Sequence, residues 1–178
     1  MGAPGEPDLI SRAQAGDKIA FEALLGPLVT LAARLAYAIL QDRTEAEDVV
    51  QDAAVKAWRR VGNIRPGADF KPWFLAIVAN QCRTVRRTLW WSVLRLEHAP
   101  AAGRQSWEQI TDQGMDLRRA LLALQPDQRA AIALHFYLDL PLDDVARVLG
   151  ISVAGVKSRI NRALKRLRPA LASGEMLV

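Results

Sequence analysis

The segment Leu142–Lys157, LDDVARVLGISVAGVK, constrains the fold of this chain more than any other. Val145, Ala146 and Leu149 recur at helical spacing, Gly150 interrupts them, and Val156 and Ile160 resume the apolar rhythm. Two short apolar faces separated by a glycine describe two helices meeting at an angle, a helix-turn-helix. Gly150 supplies a tight turn that a bulky residue would oppose. Ile151 plugs the angle between the helices, and Ser152 is placed to cap the second one. On a wheel of 100° per residue, Val156, Ile160, Ala163, Leu164 and Leu167 share one side of that second helix. The opposite side carries Ala154, Ser158, Asn161, Arg162 and Lys165, flanked by Lys157, Arg159, Arg166 and Arg168. An apolar back with a small, polar, basic front suits a helix entering the major groove of DNA. Short residues allow close approach, Ser and Asn bond base edges, and the flanking cations reach phosphates. The candidate DNA contacts here are Ala154, Lys157, Ser158, Arg159, Asn161, Arg162 and Lys165.

Helical patterning extends over nearly the whole chain, and no two-residue turn between alternating runs marks a hairpin. The fold class is therefore all-α. Gly16-Asp17 separates a short first helix from a longer one, with Asp17 as its N-cap. Pro27 is expected to kink or restart that second helix. Thr44-Glu45-Ala46-Glu47 reads as a capping box opening a third helix that ends near Arg60. Gly62-Asn63 and Pro66-Gly67 form a loop, and a fourth helix starts near Phe70–Pro72 and ends near Thr88. Residues 92–114 hold Pro100, Gly103 and Gly114 with no sustained period, as expected of a flexible linker. Pattern resumes at Met115; Pro126 precedes a helix over Ala130–Leu138, and Pro141 and Gly150 punctuate the rest. The organisation expected is two small helical domains, 1–91 and 115–178, joined by the linker 92–114.

Charge follows the same division. Residues 1–90 carry a net charge of +2, residues 91–116 carry −2, and residues 117–178 carry +5. Six cations between Lys157 and Arg168, with no acid among them, are the footprint of a phosphate-backbone binder. The third helix is instead acidic. The helix dipole explains Glu45 and Glu47 in its first turn, but not Asp52 two turns in, and the pattern suits docking onto a basic partner helix. On the fourth helix Phe70, Trp73, Phe74, Ile77, Val78 and Val85 share a core side. Asn80, Arg83 and Arg87 form a stripe on the other side, with Arg86 at its edge and Ala76 and Ala79 leaving room beside it for a nucleic-acid backbone. Trp90-Trp91 is expected to cap the N-terminal core.

Composition narrows the chemistry. A single cysteine, Cys82, excludes an internal disulfide and any site of two thiolates. The two histidines lie too far apart for a close-spaced metal motif, so no metal or cofactor is expected. The apolar run Leu28–Leu40 contains Arg34 and is too short to span a bilayer. The first eight residues have no basic start and no apolar core, so no signal peptide is read. The expectation is a cytoplasmic protein without membrane insertion. An enzyme would need convergent carboxylates with an acid–base partner or an activated nucleophile, and the acids at 45, 47, 48 and 52 have no such partner. A stand-alone helix-turn-helix regulator remains an alternative. It would leave the acidic helix unexplained, and no heptad pattern for a coiled-coil dimer is visible.

Taken in order, three motifs closely resemble the extracytoplasmic-function (group IV) sigma factors of bacterial RNA polymerase, over nearly the whole chain. Glu45–Ala53 with Ala57-Trp58 is similar to the family's core-binding motif. Phe70–Asn80 is similar to its −10 segment, and Leu140–Ala163 to its −35-reading helix-turn-helix. The resemblance implies that Glu47, Asp48, Gln51 and Asp52 bind the coiled coil of the largest polymerase subunit. It implies that Asn80, with the loop Gly62–Asp69 near it, takes an extruded −10 base, and that Arg83, Arg86 and Arg87 hold flanking phosphates. Lys157, Ser158, Asn161 and Arg162 would read the −35 duplex. Implied partners are core polymerase, including the flap of its second-largest subunit, promoter DNA and an anti-sigma factor. Thr84 departs from the acid that family members often carry four residues after the Asn. Few aromatic residues lie on the expected DNA face, which points to weak intrinsic melting and a stringent promoter requirement.

Overall fold

A computed structural model describes residues 5–95 and 119–175, with side chains to 88 in the first stretch and to 171 in the second. The expectations for the linker 92–114 beyond Arg95, for Trp90-Trp91 and for the helix start at Met115 concern structure or side chains outside these residues. The helices named here are α1 (Glu6–Gln14), α2 (Lys18–Leu40), α3 (Arg43–Arg60), α4 (Phe70–Arg95), α5 (Pro126–Ile132), α6 (Leu142–Leu149) and α7 (Val153–Glu175), and residues 119–122 are helical as well. A single 3₁₀ turn, Val61–Asn63, follows α3, and a π-turn, Ala133–Tyr137, continues α5. No strand occurs among the described residues.

The first four helices form one bundle. Asp17 caps α2, its carboxylate accepting from the Ile19 and Ala20 N–H groups at 2.9 and 3.1 Å. Arg12 also donates to Asp17 at 2.7 Å and holds its carboxyl below the ordinary range. Pro27 does not restart α2, which runs unbroken through it. Ala23, whose carbonyl the missing N–H would have bonded, is exposed to water, and buried Leu24 and Leu28 anchor both halves. The expected capping box at Thr44 is displaced. Asp42 caps α3 instead, accepting from the Glu45 N–H at 3.0 Å, while Glu47 pairs with Arg43 at 2.8 Å. The reason is the sharp elbow at Gln41, which adopts the left-handed conformation (φ 61°) and ends α2 one residue before that cap.

Phe21, Trp58, Phe70, Trp73 and Phe74 interlock at the bundle centre, with Phe21 meeting Trp58 and Phe70 edge-on. Truncating a buried Phe such as Phe74 costs about 3–5 kcal/mol. Glu6 reaches across from α1 to accept from the Phe70 N–H at 2.7 Å, which caps α4 from a distant part of the chain. Gln14 fastens the 3₁₀ turn by donating to the Val61 and Ile64 carbonyls. Helix α4 ends at Arg95, two turns later than its periodicity indicates. Helix α2 is long and apolar enough, by length and composition, to cross a membrane. In this fold it is the hub against which α1, α3, α4 and α5 pack.

The C-terminal helices form the expected turn. Gly150 ends α6 in the left-handed conformation (φ 65°), which side chains resist. Ser152 Oγ accepts from the Gly155 N–H at 3.1 Å and caps α7. Val145, Ala146, Leu149, Val156, Ile160, Ala163 and Leu167 are buried. Leu164 is not, although its spacing placed it on the same side. It lies at the edge of the stripe, beyond the small cluster in which Leu124 and Ile132 cover Ala163 and Leu167.

The two groups of helices do not stand apart. One continuous apolar core runs from the first into the second. Helix α4 is buried on two sides, against α2 and α3 and against α6. Ala79, expected to leave space for a nucleic-acid backbone, is fully buried in this packing.

Candidate nucleic-acid interface and acidic helix face

Helix α3 buries Ala46, Val49, Val50, Ala53 and Ala57, the three-to-four spacing of a single inward stripe. That register leaves Glu47, Asp48, Gln51 and Asp52 together on its exposed outer face, as the sequence indicates. Asp52 is oriented by Gln81 of α4, whose amide nitrogen donates to it at 3.1 Å, and Lys56 donates to the other end of that amide. Val55 continues the same face and is 51% exposed. Sequence reasoning missed it because a valine in a helix ordinarily reads as core. The signal was its spacing, one turn past Gln51 and Asp52.

On α4 the four candidate residues separate. Asn80 and Arg87 are exposed, while Arg83 and Arg86 are half-buried. Arg83 donates to Asn80 Oδ1 and, through its other terminal nitrogen, to the Leu149 carbonyl at 2.7 Å. The stripe is therefore not a free basic surface. Its middle member bridges Asn80 to the last residue of α6. Thr84 turns inward on its own helix and donates to the Asn80 carbonyl at 3.1 Å.

Helix α7 sets most of the candidate DNA contacts on one exposed front, as its sequence indicates. Ala154, Lys157, Asn161, Arg162 and Lys165 are exposed on one front, and Ser158 is half-buried among them. Arg162 donates to Ser158 at 2.8 Å, one turn back, so the two form a joined polar head. Arg159 is diverted from the front and pairs with Asp127 of α5 at 3.4 Å. Exposed cations around a small, polar centre can grip phosphates on both sides of a groove while Asn161 meets base edges.

Other titratable groups are structural. Cys82 is fully buried, and desolvation pushes its thiol up to about 12, so it is not a nucleophile. His135 Nδ1 lies 2.9 Å from the Leu140 carbonyl and steadies the chain after the π-turn. No group of His, Cys, Asp or Glu able to hold a metal exists among the described residues.

Comparison with known proteins gives the family of the chain. The family model for sigma-70 region 2 matches residues 22–92, and that for sigma-70 region 4 matches residues 114–167. The chain is 32% identical over 164 residues to the ECF RNA polymerase sigma factor SigM of Mycobacterium tuberculosis, covering 91% of this chain and 82% of that one. It is 29% identical over 167 residues to the RNA polymerase sigma-E factor of Streptomyces avermitilis, covering 90% of each. Its fold is similar to the sigma factor RpoE of Bartonella quintana, solved in complex with the anti-sigma factor NepR. That match has a TM-score of 0.74 and 26% identity, over 85% of this chain and 96% of that one.

Proposed function

Since the chain belongs to the extracytoplasmic-function sigma factors of bacterial RNA polymerase, we propose the division of labour among its surfaces. As a sigma factor it directs promoter-specific initiation, and the polymerase performs the chemistry. Residues 1–91 form the module that clasps polymerase and reads the −10 element, residues 115–178 read the −35 element, and 92–114 tether them. The acidic face Glu47, Asp48, Gln51 and Asp52 docks on the basic coiled coil of the largest polymerase subunit. Val55 adds an apolar contact at its end. The −35 module touches the flap of the second-largest subunit.

Asn80 receives an unstacked base of the non-template strand, with Arg83, Arg86 and Arg87 on the flanking phosphates. Extrusion costs least where stacking is already weak. Ala154, Lys157, Ser158, Asn161, Arg162 and Lys165 engage the −35 major groove, with Arg159 at its margin. The chain acts in the cytoplasm, without enzymatic activity of its own. An anti-sigma factor binds it, as one is found in complex with the structurally similar RpoE.

One observation carries this reading: acids are exposed along one face of α3, and a small, basic front is exposed on α7, in modules separate along the chain. Run-off transcription with core polymerase tests it, using promoters randomised at −10 and −35. Asn80→Ala is expected to change preference at one −10 base only, and Asn161→Ala at −35 only. Asp52→Lys is expected to weaken polymerase binding about tenfold. Transcription from no promoter by the unaltered chain would refute the reading.

A further inference from the structure

Helix α3 twice sets opposite charges four positions apart, and the fold treats the two pairs differently. Arg43 and Glu47 meet directly at 2.8 Å. Asp52 and Lys56 have the same spacing, with the acid nearer the N-terminus, which is the more favourable order on a helix. They nevertheless do not meet each other. Gln81 of α4 stands between them: Lys56 donates to Gln81 Oε1, and Gln81 Nε2 donates to Asp52 Oδ2 at 3.1 Å. The bridge comes from 25 and 29 positions away along the chain, so no pattern within α3 announces it.

The chemistry of the bridge is specific. An ammonium only donates and an ionised carboxylate only accepts, so an uncharged side chain joining them needs an acceptor and a donor together, which a primary amide supplies. Lys56 and Gln81 are half-buried where α3 packs on α4, while Asp52 is exposed. Lys56 is thereby drawn toward α4, and Asp52 gains a hydrogen bond without losing its charge. Glu47 differs, since its charge is met by Arg43 of the same helix. Among the described residues, no cation pairs with Asp48 or Asp52. These two acids carry the uncompensated charge of the face.

Resting on the docking given above to this acidic face, we propose that Gln81 is a positioning residue for polymerase binding, which parks Lys56 against α4 and so keeps Asp52 a free anion for a cationic partner surface. Without the amide, Lys56 is free to swing back one turn along its own helix and cover Asp52. A partner cation must then displace it, and the lysine left on the docking face repels a basic surface. Gln81 touches no partner in this role. It acts through the charge that Asp52 presents.

The test measures binding of the full chain to core polymerase by fluorescence anisotropy, with folding checked by circular dichroism. Gln81→Leu is expected to weaken binding about threefold, within the range that one exposed ion pair supplies. Adding Lys56→Met to that variant is expected to restore wild-type affinity, because no lysine remains to cover Asp52. A merely structural role for Gln81 would leave the loss uncorrected. Gln81→Glu keeps an acceptor for Lys56 at the same length and is expected to bind at least as tightly as wild type, and it decides the case if Gln81→Leu unfolds. Unchanged binding by folded Gln81→Leu overturns the proposal. So does a loss that Lys56→Met fails to restore, or weaker binding by Gln81→Glu. Asp52→Lys separates this from the docking itself. If that variant binds as well as wild type, the acidic face is not the polymerase contact and both readings fall. If it binds more weakly while Gln81→Leu does not, only the role given to Gln81 falls.

Discussion

At the scale of single residues, the same side-chain chemistry takes opposite roles according to what surrounds it. Arg162 stands in water and donates to Ser158, whereas Arg129 is buried on four carbonyls and serves packing. Both arginines follow an amide side chain and precede an alanine in the chain, and that immediate context does not distinguish them. Cys82 gives a direct check on burial. Its thiol, pushed up to about 12, is expected to resist thiol reagents at pH 8 in the folded protein and to react fully in denaturant, as followed by mass spectrometry. Asp17 gives a check on pH. Its carboxyl is held low first by the Arg12 hydrogen bond and then by the Ala20 N–H. A lowered folded value means the stabilisation is present above about pH 4, the unfolded value. It is lost as pH falls through the lower folded value. Asp17→Asn, which keeps a capping oxygen, is expected to flatten the acid limb of the Tm profile without altering the helical spectrum at pH 7.

At the scale of elements, termini and elbows were the least legible parts. Asp17, Ser152 and Gly150 follow from local rules, because each cap or turn is closed by atoms within four residues. Ser152→Ala is accordingly expected to cost about 1 kcal/mol, read from thermal or urea unfolding. The start of α3 was misplaced because Thr44 and Asp42 are both eligible caps, and the elbow at Gln41 decides between them. The cap of α4 was beyond local reading, since its carboxylate is supplied by Glu6 from across the bundle. The continuity of α2 through Pro27 has the same origin. Tertiary burial of Leu24 and Leu28 outweighs one missing backbone bond.

At the scale of the whole molecule, the DNA contact proposed for the basic front of α7 predicts how affinity responds to salt. Each phosphate neutralised releases a counterion, so affinity should fall linearly on log–log axes, and Lys165→Gln is expected to reduce that slope by about one. A fluorescence titration of −35 duplex across salt concentrations checks it. The sequence by itself determined the helical class, the helix-turn-helix and the outward acidic face of α3, because periodicity and caps are set by near neighbours along the chain. It also carried the small, basic front of α7, since one helix's wheel fixes which residues share a side. Only the tertiary structure decided that α4 is covered on both flanks, that Arg83 and Lys71 bond the other module, and that Arg129 is buried. Those outcomes depend on contacts between residues more than sixty positions apart, and no local pattern records which distant surface will meet a given side chain.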